Sequence, residues 1–87
     1  MTAPDSAPIY LPRSKLEAML LEFLQAYPHC KEATGVTIRR LMSDAEHGSN
    51  WTLDTFNPGR ALRELCEPAM KLIVPIVQRH FWLSPDA

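Results

Sequence analysis

The side chains best suited to bond-making chemistry are His29, Cys30, His47, Cys66 and His80. Thiolate and imidazole are the soft ligands of zinc, and a thiol beside an imidazole makes a nucleophile–base pair. Their spacing supports neither use. No pair stands at a CxxC or HxxxH separation, and Cys66 falls on an apolar stripe where a small buried residue is expected. Nor does a glycine-rich phosphate loop exist, because the three glycines are scattered at Gly35, Gly48 and Gly59. The chain is therefore expected to be no enzyme, to bind no metal and to need no cofactor.

Guanidinium groups offer a second kind of chemistry, the pairing of a planar fork with phosphate or base edges. Arg39 and Arg40 form the first local basic patch. The whole chain gives no support to a polyanion partner, since its formal net charge is -1. Any nucleic-acid surface has to be local.

The elements that must carry these residues follow from length and periodicity. A chain of 87 residues, 46% apolar and 22% charged, has the composition of one compact domain. The run from Leu72 to Val77 is far shorter than the roughly 20 residues of a membrane span. With two cysteines in no framework spacing and no signal-peptide pattern, both are expected as reduced thiols in a cytoplasm.

Residues 1–13 carry prolines at 4, 8 and 12 and are expected to form a flexible arm. Ile9, Tyr10 and Leu11 within it can pack either on the domain or on a second copy. Ser14 and Glu17 have the spacing of a capping box, and Leu16, Met19, Leu20, Phe23, Leu24 and Tyr27 fall on one helical stripe ended by Pro28. A second helix is expected from Thr37 to about Glu46 or His47, carrying Ile38, Leu41, Met42 and Ala45, with Gly48 as its left-handed cap. Trp51 and Phe56 read as core anchors in the following connection, with a helical turn available within 52–55. Asn57 and Pro58 are a favoured helix start, and Pro68 a stop, so a third helix is expected between them with Ala61, Leu62, Leu65 and Cys66 buried. The remainder is rich in β-branched and aromatic residues. It suggests strands at Lys71–Val74 and Arg79–Ser84 about a tight connection at 75–78. A short tail, 85–87, follows.

The order helix, short strand, helix, helix, hairpin resembles the winged-helix version of the helix-turn-helix family across residues 14–84. GVTIRRLM resembles its short strand and second helix, while NPGRALRELCEPAMKLIV and RHFWLS resemble its third helix and wing. The fold expectation is therefore mainly α: three helices plus a two-stranded wing. A three-helix bundle with an irregular tail is the competing architecture.

The resemblance implies a transcriptional regulator whose third helix enters the major groove of double-stranded DNA. In that reading Arg60 and Arg63 face base edges, Asn57 and Thr55 flank the helix start, and Arg39, Arg40, Lys71 and Arg79 meet the phosphate backbone. Two departures stand against it: a long connection between helices two and three, and an apolar wing tip, PIVQ. They favour the alternative of a protein-interaction module, as homodimer, adaptor or inhibitor. Its surface would be a hairpin patch of Ile76, Val77 and Trp82.

Overall fold

The computed structural model describes residues 9–41 and 49–85. Its elements run β1 (Ile9–Leu11), α1 (Arg13–Gln25), a 3-10 turn (Pro28–Cys30), β2 (Gly35–Arg40), β3 (Trp51–Asn57), α2 (Arg63–His80) and β4 (Phe81–Leu83). Two helices and two small two-stranded sheets thus replace the expected three helices and wing. β2 and β3 are antiparallel, whereas β1 and β4 pair in parallel from opposite ends of the chain.

The first helix forms where its periodicity places it, but only part of the stripe is core. Leu16, Leu20 and Leu24 are fully buried, while Phe23 and Tyr27 stay exposed at the end of the helix. Pro12 holds the cap position, with no side-chain cap bond. Glu17 is used elsewhere: its carboxylate accepts the Ile38 N–H at 3.1 Å, and Arg13, 3.8 Å from Glu17, donates to the Ile38 carbonyl. These two side chains occupy the backbone polar groups that β2 turns away from β3.

The expected second helix is a strand. Val36 and Ile38 alternate with exposed Thr37 and Arg39, which is period two, and Trp51 and Phe56 on β3 supply the long-range partners that make this period pay against the core. Both anchors are buried as expected, Trp51 at 0% and Phe56 at 5% exposure. They sit in a strand and not in a loop with a helical turn. One register irregularity lies between Thr37 and Ile38. Met42, Ala45, Glu46, His47 and Gly48 lie outside the described residues.

Asn57, Pro58 and Gly59 make a turn instead of starting a helix. Asn57 Oδ1 accepts the Gly59 N–H at 2.9 Å, and Gly59 has φ 61°. Glycine is required there, because a Cβ would fall against the Glu32 carbonyl oxygen. α2 begins only at Arg63 and runs through both Pro68 and Pro75 to His80. The expected strand Lys71–Val74 and the connection at 75–78 are therefore helical, and the second expected strand shrinks to Phe81–Leu83. The two prolines are seven residues apart and both exposed, so they share the outer face. The carbonyls that lose an i+4 donor, those of Glu64 and Lys71, belong to exposed residues, where water replaces the missing bond.

α2 buries Cys66, Ala69, Met70, Ile73, Val74 and Val77 against α1 and the strands. Leu62 and Leu65, expected in the core, are exposed at 58% and 46%. Cys66 is buried, and it is bonded to Cys30 as a disulfide with Cα atoms 5.7 Å apart. The expectation of two reduced thiols is thereby overturned. The bond fastens the turn after α1 to the first turns of α2.

β4 is held by side chains as much as by its ladder. The Asn50 amide both donates to the Leu83 carbonyl and accepts the Leu83 N–H, each at 2.8 Å. The Trp51 indole donates to the Phe81 carbonyl at 2.8 Å, and Arg40 donates to the Ser84 carbonyl at 2.8 Å. On its other side β4 receives β1, whose Tyr10 meets Trp82 edge-on at 6.2 Å. The segment Ile9–Leu11 therefore packs on its own domain.

Candidate partner-binding groove

α2 lies alongside β3 and runs opposite to it. Arg63, at the helix start, donates to the Phe56 carbonyl at 2.9 Å; Gln78, near the helix end, donates to the Trp51 carbonyl at 2.7 Å. Both acceptors are main-chain oxygens outside the β2 ladder, so both point towards α2. In a regular strand, residues two apart turn their backbone groups to the same edge. Leu53 therefore presents its N–H and C=O in the direction set by Trp51. Between the Gln78 and Arg63 contacts the edge opens into a groove of about 430 Å³.

Leu53, Phe56, Met70 and Val74 give this groove its apolar floor and walls. Asp54, Glu67, Arg63 and Lys71 stand around it, two acids and two bases. Arg63 is fixed in place twice, by its bond to the Phe56 carbonyl and by stacking 4.8 Å above the Phe56 ring centroid. A second hollow, about 590 Å³, adjoins the first across Thr55, Phe56 and Arg63 and extends over Gly35, Thr37 and Asn57. A groove of this volume falls within the range of ligand-binding clefts, on the order of 300–1,000 Å³.

The other edge of the hairpin is capped at Ile38. On β2 the groups of Ile38 that face outward are bonded to Arg13 and Glu17. The two edges of one small sheet thus differ: one is capped by a helix's side chains, the other opens into an amphipathic groove.

Of the basic and polar residues picked out by sequence, Thr55, Asn57, Arg63 and Lys71 come together around these hollows. Arg39 lies on the exposed face of the hairpin, 4.0 Å from Asp54. Arg40 is spent on the Ser84 carbonyl, Arg60 sits in the turn before α2, and Arg79 lies at the helix's far end. No single helix presents Arg60 and Arg63 as a reading face, because only Arg63 is helical. The expected hairpin patch is likewise dispersed: Ile76 is 53% exposed on α2, Val77 is buried and Trp82 is half-buried on β4. The sequence picks out neither Leu53 nor Gln78 as a site residue, and marks Phe56 only as a core anchor. Only knowledge of which strand edge is free singles them out.

Among the described residues, no helix is long and apolar enough to cross a membrane, and no three of His, Cys, Asp and Glu gather into a metal-binding group. Comparison with protein-family models, with curated proteins and with solved structures finds no match.

Proposed function

We propose that this chain is a protein-interaction module that receives an extended segment of a partner polypeptide along the open edge of β3. The observation that carries this reading is the Leu53 edge, lying between the Gln78 and Arg63 contacts and opening onto apolar walls. Strand addition draws affinity from main-chain hydrogen bonds and specificity from alternate side chains that enter flanking pockets. A segment added here would pair with Leu53, send one side chain towards Met70 and Val74, and leave its neighbours to the charged rim. The balanced rim fits a polypeptide of mixed charge better than a polyanion, because two carboxylates stand where nucleic acid would bring phosphates. The reading of a DNA regulator loses its reading helix and wing with the winged-helix architecture. The Cys30–Cys66 bond removes reduced thiols as support for a cytoplasmic setting.

The test is a displayed library of random dodecapeptides panned against the intact chain, with Leu53→Pro and Val74→Glu as comparison baits. Expected are peptides of alternating apolar and polar residues whose binding is lost in both variants. The same preparations are titrated with mixed-sequence duplex DNA over a salt series. Peptides indifferent to both substitutions, or DNA binding that falls with salt and with Arg63→Ala and Lys71→Ala, would overturn the proposal.

A further inference from the structure

The hairpin turns a polar face towards the second hollow. Gly35 and Thr37 on β2 flank buried Val36, and Thr55 and Asn57 on β3 flank buried Phe56. The register pairs Gly35 with Asn57 and Thr37 with Thr55, so a period of two sets all four on the face away from the core. All four line the hollow, and Arg63, which lines both hollows, stands where they adjoin. Gly35 leaves room there, because a Cβ built on it meets nothing within 4 Å.

Every polar side chain of this lining can donate. Thr37 and Thr55 carry hydroxyls, while Asn57 spends its oxygen on the Gly59 N–H and has its NH2 left to offer. Arg63 gives one N–H to the Phe56 carbonyl and is held over the Phe56 ring, which leaves the rest of its fork for a ligand. It is the one charged residue of the lining, and no carboxylate of the described residues lies within 4.0 Å of it. Asp54, beside Thr55 in the chain, stands against Arg39 instead. A fixed cation among donors, with no anion of its own, selects an oxyanion. One guanidinium and two hydroxyls match the single charge and planar fork of a carboxylate, whereas phosphate motifs are read by clusters of arginines.

The position of Arg63 along β3 indicates which carboxylate. Its bond to the Phe56 carbonyl occupies the edge on which pairing along Leu53 would continue, so an added segment runs out of main-chain partners there. We propose that the segment ends at this point: the hollow receives the C-terminal carboxylate of a partner polypeptide that lies parallel to β3. This rests on strand addition at the Leu53 edge and gives it an end and a direction. The carboxylate pairs with the Arg63 fork and accepts from the threonine hydroxyls, and the space over Gly35 takes the last side chain. Capture of a chain terminus adds a contact that internal segments of the same sequence lack.

The test pans two dodecapeptide libraries against the intact chain, one displayed with free C-termini and one with free N-termini. Binders should come from the first library alone. For a synthetic binder followed by fluorescence anisotropy, C-terminal amidation should weaken binding about tenfold, the worth of one hydrogen-bonded charge. Arg63→Gln should abolish the difference between acid and amide, a comparison made within one variant. Gly35→Leu, which fills the hollow and leaves Arg63 in place, should weaken the acid more than the amide. An amidated peptide ending in glutamate separates a side-chain carboxylate from the terminal one and should bind like other amides. Binders from both libraries that are lost in Leu53→Pro yet indifferent to amidation overturn the terminal site and leave strand addition standing. So does a glutamate amide as tight as the free acid. No binder from either library overturns both.

Discussion

The side-chain amide of Asn50 acts as a strand for Leu83, donating to its carbonyl and accepting from its N–H at 2.8 Å each way. No alanine can do this, and the two main-chain groups are only partly open to water. Asn50→Ala should lower stability by about 2 kcal/mol, the cost of leaving such groups unpaired. Asn50→Asp keeps the acceptor and loses the donor, so it should fall between parent and alanine. Urea unfolding of the three proteins measures both, and an alanine variant as stable as the parent would refute the role.

The Cys30–Cys66 bond closes a loop with a sequence separation of 36 residues. On the chain-entropy account such a loop is worth about 4 kcal/mol through restriction of the unfolded chain. Cys66→Ser should show a loss of that order. Reductant should bring the parent down to the same urea midpoint and leave the variant where it was. A parent midpoint insensitive to reductant would contradict the bond.

Gly59 and Gly35 make a matched pair. At Gly59 the backbone is left-handed and the Glu32 carbonyl blocks a Cβ, whereas at Gly35 nothing lies within 4 Å. Thermal unfolding should therefore find Gly59→Ala destabilised by about 1–3 kcal/mol and Gly35→Ala within about 0.5 kcal/mol of the parent. Equal effects at the two positions would count against the turn at 57–60.

Proline scanning reads the direction of the β3 backbone. The Trp51 carbonyl is bonded to Gln78, so Thr52, one residue on, turns its N–H towards β2 and Leu53 turns its own away. Thr52→Pro should break the ladder at a cost of about 3 kcal/mol or more. Leu53→Pro should be tolerated far better, as prolines are on free edges. Melting temperatures of the two variants decide, and the reverse order would close the edge on which peptide addition rests.

What could be read from sequence was the material of the core more than its arrangement. Leu16, Leu20 and Leu24 of the α1 stripe and the two aromatic anchors Trp51 and Phe56 were legible because their burial follows from local pattern. β2 was not, because GVTIRRLM satisfies a helical period through Ile38, Leu41 and Met42 and a strand period through Val36 and Ile38. Only pairing with β3, remote in sequence, chooses between them. α2 was cut in two by its prolines and by the β-branched run Leu72–Val77. Tertiary burial of Met70, Ile73, Val74 and Val77 outweighs both signals once the prolines share the solvent face. Asn57-Pro58-Gly59 was ambiguous in the same way, since proline followed by glycine also specifies a turn. Three of the residues expected to meet DNA, Thr55, Arg63 and Lys71, line the groove, and Asn57 lines the hollow beside it, yet they were chosen as cations and helix-start flanks. The groove itself depends on a free strand edge, a property of register that no single segment encodes.

The parallel pairing of β1 with β4 has a consequence for how the chain is made. β4 follows every other described element in the chain, and until Phe81–Leu83 is available β1 has no ladder, the Trp51 indole N–H no acceptor and the Asn50 amide no strand to complete. Closing the loop between β1 and β4, the longest among the described strand pairs, thus waits for Phe81–Leu83, when its entropic cost is met by several contacts forming together. A chain truncated before Phe81 should hold its hairpin and first helix without settling into one structure, so folding waits for Phe81–Leu83.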